Sequence, residues 1–339
     1  MTQLFRQAWT IASNTVRDII RQPVILLLTG SCIIFTGLLP ATAIFAFGEE
    51  KRLVRDGALA FHLVFGLLIA GTAAAATIYT EVKRGAAATI LSKPVARSLY
   101  FMATYGGILI VLGLFSAIAL LASLLSVRMV LPGMQIDVRV GAICLAAVLL
   151  AFGYAAAANF IFRRSFIAQA FLALLPCLAV ALLAAVGLSQ QSFSRLEHTH
   201  THETALAAGG QLVYSGSLMA WQIVPASLLI TLALVVLAAL AISFSTRWPP
   251  VLSTTACLAV FFLGLIADYL FRSAAATAWW AKLCYLLLPN WQDFWLVDAL
   301  SGGGTIPSGY VGLAAGYAAL YAGAALTLGL LSFREVEIL

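Results

Sequence analysis

Charged and imidazole side chains are sparse in this chain, with 19 Lys and Arg, 13 Asp and Glu and 4 His among 339 residues, so each can be weighed for chemistry. His198, His200 and His202 alternate with threonines. In an extended segment that spacing sets three imidazoles on one side, a nitrogen face suited to zinc or copper, although a closed site takes about four ligands. His202-Glu203 also begins a zinc-protease string, but Leu206 occupies the place of its second histidine. Asp268 and Arg272 stand one helical turn apart near the end of one apolar run, and His62 stands near the start of another. Ionisable groups in such runs are candidate substrate-path residues. A phosphate-binding loop needs Gly directly before its Lys, whereas the lysines here follow Glu50, Val82, Ser92 and Ala281, which closes that route to nucleotide binding.

The densest charge lies elsewhere. Glu81, Lys83, Arg84, Lys93 and Arg97 form an island between two long apolar runs, in the string Glu81-Val-Lys-Arg-Gly85 to Leu91-Ser-Lys-Pro-Val-Ala-Arg97.

These residues must be positioned by membrane-spanning helices. The chain is 63% hydrophobic and 9% charged, and its mean hydropathy is +1.02, far from the composition of soluble domains. A helix of about 20 apolar residues crosses the hydrocarbon core while pairing its own backbone groups. Such runs fall near 24–46, 59–79, 103–127, 140–162, 166–187, 221–244, 251–271 and 312–333. The expected fold is therefore an all-α, polytopic helical bundle, a single transmembrane domain over 23–339. An even number of spans puts both termini on one side. Placing them in the cytoplasm puts most cations inside, among them Arg6, Arg17, Arg21, Lys83, Arg84, Lys93, Arg97, Arg163 and Arg164, as the positive-inside bias requires. The net charge of +6 suits loops facing anionic lipid and gives no argument for nucleic acid. The five cysteines are scattered through apolar segments and read as packing residues.

Residues 1–22 carry Leu4, Phe5, Ala8, Trp9, Ala12, Val16 and Ile19 at helical spacing, with Arg6, Asn14, Arg17 and Asp18 opposite, the pattern of an interfacial elbow helix stopped by Pro23. The loop 80–102 holds the island; Gly85 can end the preceding helix and Pro94 bars simple continuation. Two outer loops are long: 188–220, which is polar and carries the histidines, and 272–311, where Trp279, Trp280, Trp291 and Trp295 surround an apolar stretch too short to cross, as in an interfacial or re-entrant helix. The deep positions of the runs are Ala, Leu, Gly, Val and Phe, not the midplane acids that ion-driven transporters use. An energy source outside this chain follows as the expectation.

The island string, Leu288-Pro289-Asn290 before the last run, the ending Tyr321 to Phe333-Arg334-Glu335 and the N-terminal amphipathic helix together resemble the permease subunits of type 2 ATP-binding-cassette exporters. The chain departs from that pattern at Ala86, at Met102 to Tyr105, and by two further spans within 128–245. The resemblance implies a coupling helix after the second span that docks on a separate cytoplasmic ATPase subunit. Glu81, Lys83, Arg84, Gly85, Ser92, Lys93, Pro94 and Arg97 would form that surface. It further implies a second permease subunit, in a homodimer or heterodimer within a bacterial inner membrane, with lipid around it. ATP and magnesium would sit on the partner, and this chain would be no enzyme. Two other classes share the composition. One is a non-transporting scaffold or force-transmitting subunit of an ATPase complex. The other is a metal-binding or lipid-modifying membrane enzyme using His198, His200, His202, Asp293 and Asp298.

Overall fold

The structure, a computed structural model, describes residues 2–42, 46, 48–83, 96–131, 135–199, 220–271, 278–301 and 304–335. It is almost wholly helical. In chain order come α1 (Thr2–Ile20), α2 (Pro23–Thr42), α3 (Glu50–Lys83), α4 (Arg97–Arg128), the two-residue strands β1 (Val130–Leu131) and β2 (Gln135–Ile136), α5 (Val138–Phe162), α6 (Phe166–Thr199), α7 (Ile223–Phe244) and α8 (Pro250–Phe271). Then follow α9 (Trp279–Leu287), a 3-10 turn (Trp291–Phe294), α10 (Val297–Ser301) and α11 (Ser308–Glu335). Among the described residues, eight helices (α2 to α8 and α11) are long and apolar enough to cross a membrane. The chain is a multi-pass membrane protein.

Helix ends differ from the expected runs where polar residues extend a helix into water. α3 starts at Glu50 and α4 at Arg97, several residues ahead of their apolar runs. α6 continues from the apolar run through Ser-Gln-Gln-Ser-Phe-Ser-Arg-Leu-Glu-His-Thr to Thr199, so the first third of the expected loop 188–220 is helix. Gln, Arg, Leu and Glu are good helix formers and carry the helix on without hydrocarbon around it.

Two compact units divide the chain. The first comprises Met1–Cys32, Leu59–Ala117 and Val224–Leu339. Its centre is α7, most of whose side chains from Leu229 to Ile242 are buried and the rest half-buried. Helices approach closely where a side chain is missing: a Cβ on Gly66 of α3 would strike Leu234 of α7, and one on Gly71 would sit 3.1 Å from Thr254 of α8. Since lipid is as apolar as leucine, such close contact is what joins helices in a bilayer. Polar contacts add to it. Tyr105 Oη donates to the Val235 carbonyl (3.0 Å), and Ser243 Oγ to the Ala325 carbonyl (2.8 Å). Phe333 of α11 packs between Tyr100 and Phe101 at the foot of α4.

α1 lies against α4. Ala12, Thr15 and Ile19 are buried, and a Cβ on Gly107 would come within 2.7 Å of the Ala12 carbonyl. Leu4, Phe5 and Trp9 remain exposed, and Phe5 and Trp9 line a shallow groove with Ala103, Gly106 and Ile110.

The second unit comprises Ile33–Ala58 and Ile118–Ile223. α5 and α6 form an antiparallel pair. Val140, Cys144, Ala147, Ala151, Ala155 and Ala158 make a buried small-residue stripe on α5, while Leu149, Leu150 and Phe160 stay exposed as side chains facing lipid do. Arg163 turns the chain in the left-handed region (φ 52°), its N–H capping the Ala158 carbonyl. The β1–β2 hairpin, with Val130 opposite Ile136, is not foreshadowed by the apolar pattern. Arg128, buried at the end of α4, pairs with Asp137 at 3.3 Å, and the other oxygen of Asp137 caps the N–H of Arg139 at the start of α5.

Replacing Gly107 with Leu forces α1 away from α4 at a cost of about 1–3 kcal/mol, the usual range for overpacking. Hydrogen exchange should then rise across the α1 amides and leave those of the α5–α6 pair unchanged.

Candidate functional site

The island meets the described structure only at its two ends. Glu81 and Lys83 lie in the last turn of α3, and Arg97 is the exposed first residue of α4. Arg84, Gly85, Ser92, Lys93 and Pro94 lie outside the described residues. α3 is one uninterrupted helix from Glu50 to Lys83.

The expected metal face is not an extended segment where it begins, because His198 stands in the last turn of α6. His200, His202 and Arg272 lie outside the described residues. Among the described residues no three His, Cys, Asp or Glu come together as a metal site.

His62 occupies a different place from the one the apolar run indicates. Because α3 begins at Glu50, His62 is about three turns into the helix, and it is fully buried. Ser227 Oγ of α7 lies 3.3 Å from its Nδ1, and Phe115 of α4 meets the ring edge-on at 5.7 Å. Nε2 has no hydrogen-bond partner among the described residues. A serine beside a histidine is the start of a nucleophile and base, yet complete burial keeps water away and, among the described residues, no third polar group hydrogen-bonds to the ring. The pair instead ties α3 to α7 and α4 inside hydrocarbon, where a polar contact has few competitors.

A more open arrangement sits at the far end of α8. Ala60, Leu63 and Val64 of α3, Ile230 and Ala233 of α7, and Phe261 and Leu265 of α8 surround a cavity of about 290 Å³. Trp291, Phe294 and Trp295 close it. The closing segment is fixed by Gly264. A Cβ there would strike Trp291 Nε1 and come within 2.5 Å of the Pro289 carbonyl, so only glycine lets the segment sit on α8. Asn290 caps the 3-10 turn by accepting from the Gln292 N–H (3.1 Å), and its own N–H donates to Tyr317 Oη (3.1 Å). Rings of Phe261, Trp291, Phe294, Tyr317 and Tyr321 follow one another at 5.6 to 6.3 Å, joining α8, the turn and α11. Leu288-Pro289-Asn290 thus supplies both the seat and the cap of the closing segment.

Polar groups gather at its edge. Asp268 stands one turn beyond Leu265 and accepts from Tyr285 Oη of α9 (3.1 Å). Asp293 lies between Trp291 and Phe294, its backbone carbonyl accepting from Tyr310 Oη (2.7 Å). Partial burial, and then the nearby Asp268 carboxylate, hold the Asp293 carboxyl above its ordinary range. Sequence reading singled out Asp268 and the tryptophans, but not their meeting with Gly264 or the cavity. The one signal available was a glycine inside the bulky run Phe261-Phe-Leu-Gly-Leu-Ile266.

Two expectations follow. Gly264→Ala should displace the Trp291 segment at a cost of about 1–3 kcal/mol, read as a lower thermal midpoint and red-shifted tryptophan emission in detergent. For Asp293, a carboxyl raised in the folded state favours folding while protonated and loses that contribution as pH rises through the raised value. Asp293→Asn should therefore melt higher than the parent at pH 7, and the difference should vanish below pH of about 4, where both side chains are neutral.

Comparison with protein-family models gives no match to this chain, and comparison with curated proteins gives none either.

Proposed function

We propose that the chain is the membrane-spanning permease subunit of an ATP-binding-cassette exporter, driven by a separate cytoplasmic ATPase that docks on residues 81–97. The observation that carries this reading is the unbroken α3. Its last turn bears Glu81 and Lys83 of the island, while Ala60, Leu63 and Val64, about 25–35 Å back along the same helix, form a wall of the cavity. A helix transmits displacement along its axis, so force applied at the island reaches the cavity wall. α4, which receives the chain after the island, is gripped near its foot by α1 and by Phe333 of α11. Such bracing suits an element that must be moved as a body.

The Glu81-Val-Lys-Arg-Gly and Leu-Ser-Lys-Pro-Val-Ala-Arg strings support the partner's identity by resemblance, and this reading, consistent with the chain's having no Gly-Lys phosphate loop, assigns the nucleotide chemistry to that partner. In this reading the termini and the island face the cytoplasm of a bacterial inner membrane, and two permease subunits work with two ATPase subunits.

Co-expression with a candidate ATPase subunit tests the reading. Reversing charge at Glu81, Lys83 and Arg84 together should lower permease-stimulated ATP hydrolysis by about tenfold or more, the equivalent of 1.4 kcal/mol. Unchanged complex formation and unchanged ATPase stimulation would remove the coupling role. ATP turnover without flux in sealed vesicles would select the force-transmitting scaffold over the exporter.

A further inference from the structure

The cavity of about 290 Å³ beneath Trp291, Phe294 and Trp295 has a deep end and a mouth. Ile230 and Ala233 of α7, Phe261 of α8, Trp291 and Phe294 are buried at the deep end. Along α3 the wall opens: Ala60 and Leu63 are half-buried, and Val64 is 50% exposed. This mouth lies at hydrocarbon depth and not at the water. At about 1.5 Å per residue, Ile230 stands about 10 Å into α7 and Phe261 about 15 Å from the end of α8. Val64 itself falls inside Glu50–Ala74, the stretch of α3 that is apolar enough to cross a membrane.

The chemistry of the walls narrows what can fill the space. The lining side chains carry no charge and no hydroxyl. Their polar atoms are two indole nitrogens, and Nε1 of Trp291 is set against Gly264 of α8. A buried water needs roughly two to four polar partners, so a cavity with such walls stays dry and takes apolar molecules instead. Left vacant, the walls forfeit dispersion contacts that a hydrocarbon would restore. The volume lies at the small end of the roughly 300–1,000 Å³ of ligand pockets, room for one hydrocarbon chain and not for a whole two-chain lipid.

We propose that this cavity holds one hydrocarbon chain of a phospholipid from the surrounding bilayer, entering sideways past Val64 while the head of the lipid stays outside. The apolar walls exclude a headgroup, and a second protein chain laid over the mouth would shut the lipid out. Binding here needs no ATPase, so it stands or falls separately from the coupling role of the island.

The test places the full chain in nanodiscs with either of two phosphatidylcholines, one carrying a diazirine at mid-chain and the other carrying it on the headgroup. Irradiation expels nitrogen, the carbene inserts into an adjacent bond, and mass spectrometry of the peptides locates the adduct. The mid-chain probe should label Ile230 and Ala233, which at 2% exposure are beyond the reach of lipid on the outer surface. Leu237 and Ala238 of the same helix, fully buried and away from the cavity, should stay unlabelled, and the headgroup probe should label none of the four. Ala233→Phe fills the deep end and should remove the label from Ile230, while labels on the exposed Leu149, Leu150 and Phe160 of α5 stay unchanged. Should that variant aggregate, Val64→Phe narrows the mouth and should have the same effect. Mid-chain adducts confined to exposed residues, or an Ile230 label that survives filling in a folded variant, overturn the site. Equal labelling of Ile230 by the headgroup probe overturns the hydrocarbon chain as its occupant.

Discussion

Helices inside a bilayer gain nothing from exchanging lipid for one another's leucines, so this structure depends on how closely their backbones can approach. Glycine decides that at particular points. Gly66 and Gly71 admit α7 and α8 to α3, Gly107 admits the carbonyl of Ala12, and Gly264 admits a whole irregular segment. Only at Gly264 does the close contact bring non-helical backbone against a span. Such backbone is tolerated beside a span when protein covers it; here Asn290, Tyr317 and Tyr310 pair with its backbone groups, whereas the buried Trp291 Nε1 has no hydrogen-bond partner among the described residues.

The same constraint separates the parts of the chain by chemistry. Within the buried interior of the first unit the polar contacts named above are neutral: Tyr105 to Val235, Ser243 to Ala325, His62 beside Ser227. Charges appear where water can reach them or where they are paired. Arg52 and Arg55 pair with Glu49 and Asp56, with side chains partly in solvent, and so contribute little. Arg128 is different, because it is buried and its ion pair with Asp137 joins the end of α4 to the start of α5 across the hairpin. Removing either partner would strand the other in a poorly solvated place.

Mechanically, α3 is the element with two roles. It carries the charged island at one end and a cavity wall along its length, and His62 fixes it to neighbouring helices on another face. Under the exporter reading, energy enters at the end of α3 and is felt at a cavity whose other walls belong to α7 and α8. Under the scaffold reading the same geometry passes force to the Trp291 segment. Both depend on α3 behaving as a rod.

Hydropathy alone determined the eight crossings, the all-helical class and the amphipathic α1, because a bilayer leaves an apolar run of that length no structure but a helix. It also marked the short tryptophan-flanked stretch before the last span as non-crossing. It did not reach helix ends such as the extension of α6 to Thr199, since polar residues outside hydrocarbon continue a helix by propensity and not by hydropathy. Nor could it place His62, whose depth depends on where α3 begins, or pair it with Ser227, 165 residues away. The cavity, its Gly264 seat and the approach of Asp293 to Asp268 were settled only by tertiary structure. Each is a contact between segments distant along the chain, and periodicity within one segment records which face is apolar without recording what comes to cover it.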